Sequence, residues 1–132
     1  MGITVLLDNN LDGHLVFLEV GLKETGWDQL VQIEFKRLRD FGLPYDTSDQ
    51  HIWRFVQQHR LLLLTHNRNN TDETSLQAVM RDENTPDSLP VITIPNKDEL
   101  VTPAYRQRAI QKLVEYILDL DRYLGAGRLF VP

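Results

Sequence analysis

Four acidic or amide residues have the chemistry and the positions expected of a divalent-cation site. They are Asp8, Asp49, Asn67 and Asn69. The first carboxylate directly follows an apolar run, the second stands at the start of an amphipathic segment, and both asparagines follow the apolar run that ends at Thr65. Oxygen ligands with room for water suit Mg²⁺ or Mn²⁺, which serve phosphoryl chemistry. These residue types predict a weak Mg²⁺ or Mn²⁺ site with Asp8 and Asp49 as its ligands.

Each of these positions also has a purely structural interpretation. Asp8 is of the residue type that starts a turn after a strand, and Asp49 in a first helical turn interacts favourably with the helix dipole. Residues 67–70 suit a plain polar loop because Asn tolerates left-handed backbone geometry. Asp46 is expected to be a loop residue rather than a ligand. Arg68 is interpreted either as a phosphate contact or as one half of a surface ion pair.

Apolar segments of strand length alternate with segments of helical periodicity along the chain. Strands are predicted at residues 3–7, 31–35, 60–65, 90–94 and 129–131. Helices are predicted at residues 11–22, from residue 48, at 71–81 and at 103–124. Thr47 is the expected N-cap of the second helix, with Gln50 completing a capping box, and Gly125 is the expected stop of the last helix. The alternation predicts a three-layer α/β/α fold with a mostly parallel sheet of about five strands.

In such a sheet, the carboxyl ends of the strands and the amino ends of the helices share one edge, where active sites lie. Asp8, Asp49 and the asparagines after Thr65 are therefore expected to converge there. Because Asp49 is three residues before Ile52, it is expected to project from the side of its helix that faces the sheet.

Composition limits the classes of function. A chain of 132 residues with 42% hydrophobic residues fits a single compact domain spanning residues 1–132. The absence of cysteine excludes disulfides, zinc thiolate sites and thiol nucleophiles, and it suits a reducing cytoplasm. The longest apolar run, residues 61–64, is far shorter than the roughly 20 residues of a membrane span, and no secretory leader is expected. A net charge of -5 gives no global attraction to nucleic acid, so any RNA contact must use a local basic face.

Motifs for several other chemistries are absent from the sequence. It contains no G-x-G-x-x-G, no G-x-x-x-x-G-K-[ST] and no G-x-S-x-G, which argues against dinucleotide, nucleoside-triphosphate and hydrolase sites. The glycines at 125 and 127 follow a helix, which is the wrong order for a phosphate cradle. Trp53 is expected to be a packing residue. The histidines lack paired metal-site spacing and are expected to be isolated surface or half-buried residues: His14, His51, His59 and His66.

Three segments together carry a family resemblance. They are Leu-Leu-Asp-Asn-Asn-Leu at 6–11, Asp-Thr-Ser-Asp-Gln-His-Ile-Trp at 46–53 and Leu-Leu-Leu-Thr-His-Asn-Arg-Asn at 62–69. Their order resembles the PIN-like domain superfamily, especially small single-domain proteins related to type II toxin ribonucleases. In that group a first strand ends in Asp, a later helix begins with Asp shortly before Ile-Trp or Ile-Leu, and a strand ends in Thr-x-Asp-x-Asp. The match covers residues 3 to 94.

The resemblance places the first acid at Asp8, the helix acid at Asp49 and the final pair at Asn67 and Asn69, where this chain has amides instead of carboxylates. It implies a ribonuclease that depends on Mg²⁺ or Mn²⁺ and cleaves single-stranded RNA. Those four residues would act in catalysis, and Arg68 would contact phosphate. An antitoxin-like protein is the implied partner, and a homodimer stays open. The alternative is a catalytically impaired PIN-like module that binds RNA or a protein partner, because the two amides remove up to two negative charges.

Overall fold

The computed structural model describes residues 2–66 and 76–132, which contain five strands and four α-helices joined by short 3₁₀ turns. The strands are β1 (Gly2–Leu7), β2 (Gln32–Arg37), β3 (Leu62–Thr65), β4 (Val91–Thr93) and β5 (Arg128–Phe130). The helices are α1 (Leu15–Glu24), α2 (Asp49–His59), α3 (Leu76–Glu83) and α4 (Pro103–Leu118).

Within the described residues, the five strands form one sheet in the order β2-β1-β3-β4-β5, and every neighbouring pair is parallel. This confirms the predicted α/β fold. β3 is a central strand, and all four of its residues are buried, whereas the edge strand β2 has mostly exposed or half-buried residues. The order reverses between β1 and β3, which is the switch point where α/β sheets bind ligands.

Helices cover both faces of the sheet. Leu7, Leu64 and Ile92 face one core, which α1 and α4 cover. Leu6, Leu63 and Val91 alternate with them and face the other core, which α2 and α3 cover. The molecule therefore has three layers, and successive residues along a strand contact opposite pairs of helices.

The crossovers containing α1 and α4 have opposite hands. The chain moves in one direction across the sheet from β1 to β2 and in the other direction from β4 to β5. Both helices nevertheless lie on the same face and pack against each other. Since reversing the direction on one face reverses the hand, one of the two departs from the right-handed rule that underlies the sequence prediction.

Two predicted helix boundaries are wrong. Residues Asn9–His14 form a 3₁₀ turn and α1 begins only at Leu15, because the intervening Asn, Asp and Gly residues are poor helix formers. The last helix ends at Leu118, so the half-buried Leu124 belongs to no helical stripe. Gly125 does not stop that helix but permits a close approach, since its φ is +81° and a Cβ there would lie 2.9 Å from the Cα of Pro86.

The remaining differences are small. The second strand runs two residues beyond its predicted end, so Lys36 and Arg37 belong to β2 rather than to the following connection. The third helix is described from Leu76 to Glu83, and its predicted start at 71–75 lies outside the described residues. None of the helices in residues 2–66 and 76–132 has the length and apolarity needed to span a bilayer.

Candidate functional site

A row of polar residues crosses the carboxyl edge of the sheet at the switch point. Thr65 and Thr93 are register partners at the ends of β3 and β4. The backbone N–H of Asp8 donates to the carbonyl of Leu64 at 3.0 Å, which extends the β1–β3 ladder by one step and places Asp8 beside Thr65. Each of the three lies two residues after a strand residue that faces α2 and α3, so its side chain is on that same face of the sheet. The edge thus presents a carboxylate and two hydroxyls to one side of the sheet.

Asp8 is held firmly in this row. Its side chain is buried, with a relative exposure of 4%. One carboxylate oxygen accepts a hydrogen bond from the backbone N–H of Asn9 at 2.8 Å, and the other accepts from the hydroxyl of Thr65 at 3.0 Å. The first contact caps the 3₁₀ turn, so the structural role suggested by the sequence is present alongside any chemical one.

Burial raises the pKa of Asp8 above its ordinary value. The hydrogen bonds from Asn9 and Thr65 favour the charged form and lower the pKa, but not enough to cancel the loss of solvation. The negative charges of Asp49 and Asp12 raise it further. A buried carboxyl group with a like charge nearby is a frequent property of functional sites, because it favours a bound proton or a cation.

Asp49 reaches the same edge from the first turn of α2. The N-cap of this helix is Ser48, whose hydroxyl accepts from the N–H of His51 at 3.1 Å. The predicted capping box of Thr47 and Gln50 is therefore wrong by one residue. The hydroxyl of Thr47 instead donates to the carbonyl of Pro44 at 2.6 Å, which fixes the preceding turn.

The carboxylate of Asp49 already has a structural partner. One of its oxygens accepts from the backbone N–H of Leu76 at 3.1 Å, so it satisfies an amide at the start of α3. Its negative charge acts on both Asp8 and Arg128. The two predicted ligands thus influence each other electrostatically, while Asp46 is an exposed turn residue, as expected.

Arg128 is a site residue that the sequence analysis missed. It begins β5, and its guanidinium Nη1 donates to the hydroxyl of Thr93 at 2.6 Å, so the side chain extends along the sheet to the polar row. Burial lowers its pKa, and the charge of Asp49 opposes that change. The only sequence signal is an arginine at the start of an apolar edge segment, and it becomes informative only once the strand order is known.

The other expected site residues, Asn67, Arg68 and Asn69, lie outside the described residues. They follow Thr65 and His66 directly in the chain. Trp53 is buried in the core between the sheet and α2, as expected.

The described donor set fits one weakly held, oxygen-preferring ion. An ionised carboxylate has about four acceptor positions, and the described hydrogen bonds of Asp8 use one on each oxygen. A cation would offset the unfavourable burial of the Asp8 charge and its repulsion by Asp49. However, the described part of the chain contains no group of three or more His, Cys, Asp or Glu residues arranged to hold a metal.

Comparison with known proteins adds no family assignment, since no protein-family model, curated protein or solved structure matched this chain.

Proposed function

We propose that this protein is a slow, cytoplasmic, PIN-like ribonuclease that requires Mg²⁺ or Mn²⁺ and cleaves single-stranded RNA, with an antitoxin-like protein as its partner. The observation that carries the proposal is the burial of Asp8 beside Thr65 at the switch point, within the electrostatic influence of Asp49. Keeping a carboxylate in so unfavourable a place is explained by a cation that binds there.

The chain's own residues would divide the work. Asp8, fixed by Asn9 and Thr65, and Asp49, fixed in the first turn of α2, would hold the ion. When bound, a divalent ion would neutralise phosphate charge and make a water molecule more acidic. Asn67 or Asn69 would orient that water, and Arg68 would contact the phosphate.

A second function, a non-hydrolytic module that binds RNA or a protein partner, is favoured by the surroundings of Asp49. Its carboxylate accepts from the amide of Leu76, which uses part of its acceptor capacity, and its negative charge also interacts with Arg128. Two carboxylates hold Mg²⁺ more weakly than three or four. With uncharged amides at 67 and 69, this module would bind its partner without cleaving RNA.

Cleavage of a labelled single-stranded RNA in the presence of Mn²⁺ tests the proposal. We expect slow cleavage by the wild type, none by Asp8→Asn and faster cleavage by Asn67→Asp, which restores a carboxylate. The gain in Mn²⁺ binding should be about 1–3 kcal/mol, the scale of a charge-assisted contact in a partly exposed site. Asn69→Asp should gain less because it lies further along the chain.

Asp46→Asn is the matched control, because it removes the same charge from an exposed turn and should leave cleavage unchanged. Cleavage that survives Asp8→Asn contradicts the site. RNA binding without cleavage, and without any gain from Asn67→Asp, supports the binding module instead.

A further inference from the structure

Two of the four histidines are not isolated, contrary to the sequence expectation. His14 ends the 3₁₀ turn that follows β1, and His66 directly follows β3. Lys97 begins the 3₁₀ turn Lys97–Val101, which follows β4. Three adjacent strands therefore each deliver a cationic or titratable side chain just beyond their carboxyl ends.

Asn10 joins these segments. Its side-chain oxygen accepts from the backbone N–H of His66 at 3.3 Å, and its backbone carbonyl accepts from the ammonium of Lys97 at 3.1 Å. Nδ1 of His66 lies 2.8 Å from the carbonyl oxygen of Ile94. Because a carbonyl oxygen only accepts, this contact is a hydrogen bond in the tautomer with the proton on Nδ1. The cluster is thus fixed by contacts between three loops.

The charges in this cluster act on one another. Burial lowers the pKa of His14, and the electrostatic interactions with Lys97 and His66 lower it as well. Asp98 opposes this effect, since it lies 3.7 Å from Nε2 of His14. Its side chain is 93% exposed, so solvent screens this negative charge strongly. The cluster thus brings Lys97 and two histidines together in a chain whose net charge is -5, with Asp98 as an acidic neighbour and Asp12 in the same turn as His14.

We propose that Lys97, His14 and His66 form a phosphate subsite that holds the backbone of single-stranded RNA beside the Asp8 carboxylate. Asn9–His14 starts immediately after Asp8, and His66 follows Thr65, the residue that contacts Asp8. A lysine ammonium binds phosphate as a point charge, and the cluster offsets the repulsion between RNA and the two aspartates. This inference takes its substrate class from the proposed function but does not require cleavage.

Binding of a short, fluorescein-labelled single-stranded RNA, measured by fluorescence anisotropy in EDTA, tests the subsite without turnover. We expect Lys97→Gln to weaken binding about 3- to 10-fold and to reduce the slope of log Kd against log salt concentration by about 0.7, the value for one phosphate contact in a single strand. The matched control is Lys23→Gln at the far end of α1. It removes the same charge at the opposite edge of the sheet and should change neither quantity. Circular dichroism checks that both variants are folded.

A second readout uses His14. A phosphate nearby would raise its pKa, so RNA binding should take up a proton and become tighter as pH falls from about 8 to about 6. Lys97, Asp98 and His66 are the charged or titratable groups that act on it. In His14→Gln the pH dependence should be smaller.

The subsite is refuted if Lys97→Gln and Lys23→Gln lose affinity equally, if His14→Gln keeps the full pH dependence, or if the wild type binds no RNA. The two proposals fail separately. Loss of RNA affinity in Lys97→Gln from a wild type that never cleaves would support the subsite and overturn the ribonuclease. Asp8-dependent cleavage with an unchanged KM and Kd in Lys97→Gln would support the ribonuclease and overturn the subsite.

Discussion

Replacing Asp8 with Asn is expected to stabilise the fold at neutral pH and to abolish divalent-cation binding. An asparagine can keep both contacts of this side chain, with its carbonyl accepting from the N–H of Asn9 and its amide donating to the hydroxyl oxygen of Thr65. What it removes is the charge, at a position with 4% exposure that Asp49 and Asp12 also disfavour. Function and stability therefore make opposite demands on this residue.

The size of the effect follows from what changes and what does not. No volume is lost, so the penalty of a cavity does not arise, but the hydroxyl hydrogen of Thr65 then needs an acceptor other than residue 8, which offsets part of the gain. A single stabilising substitution commonly yields about 0.5–2 kcal/mol, with the recurrent cost of lost function at a destabilised site. For a domain of this length, such a gain corresponds to an increase in Tm of about 2–8 °C.

The difference between the two proteins should depend on pH in a defined direction. The pKa of Asp8 is raised from 3.8 in the folded state, so the folded wild type binds the proton more tightly than the unfolded chain does. Its free energy of unfolding therefore falls as pH rises from the unfolded pKa through the folded one, whereas the Asn variant has no such loss. The advantage of the variant should be absent below 3.8 and reach its full size above the raised pKa.

Urea unfolding monitored by circular dichroism over this pH range gives the required free energies. Mn²⁺ should stabilise the wild type by about 1.4 kcal/mol at a free concentration ten times Kd, and it should not affect the variant. Asp49→Asn is the companion variant, because an amide oxygen can still accept from Leu76. A variant at position 8 that is clearly less stable than the wild type at neutral pH would show that the carboxylate is structural. Equal Mn²⁺ affinity in the two proteins would remove Asp8 from the site.

Two further predictions concern the elements that position the site. Gly21→Ala in α1 should lower stability by about 1–2 kcal/mol, because the added Cβ would lie 2.8 Å from carbon atoms of Arg106 and Ile110 and overpacking outweighs the gain in helix propensity. The control is Gly13→Ala, whose added Cβ has no non-neighbouring atom within 4 Å. Equal urea midpoints of the two variants would contradict the close packing at Gly21. Ser48→Ala should lower the free energy of unfolding by about 1 kcal/mol and weaken Mn²⁺ binding, because it loosens the first turn of α2. A larger loss of stability in Thr47→Ala would show that Thr47 is the N-cap instead.

The sequence by itself determined the layered architecture and the position of Asp8. Strand-length apolar runs and helical stripes are local patterns, and they were sufficient to predict a mostly parallel sheet of about five strands covered by helices. A polar residue directly after a buried strand must lie at a sheet edge, so the place of Asp8 followed from the same pattern. Helix ends were predicted less well, because Ser48 and Thr47 are both good caps and the turn before α2 decides between them.

Only the tertiary structure decided which residues surround that carboxylate. Thr65, Thr93 and Arg128 meet through strand order and register, which depend on pairing between segments far apart in the chain. The histidines looked isolated for the same reason, since His14 and His66 are separated in sequence and are brought together by neighbouring strands. Local periodicity carries no information about the strand order or about which crossover reverses its hand, because both are set by the packing of helices on a completed sheet.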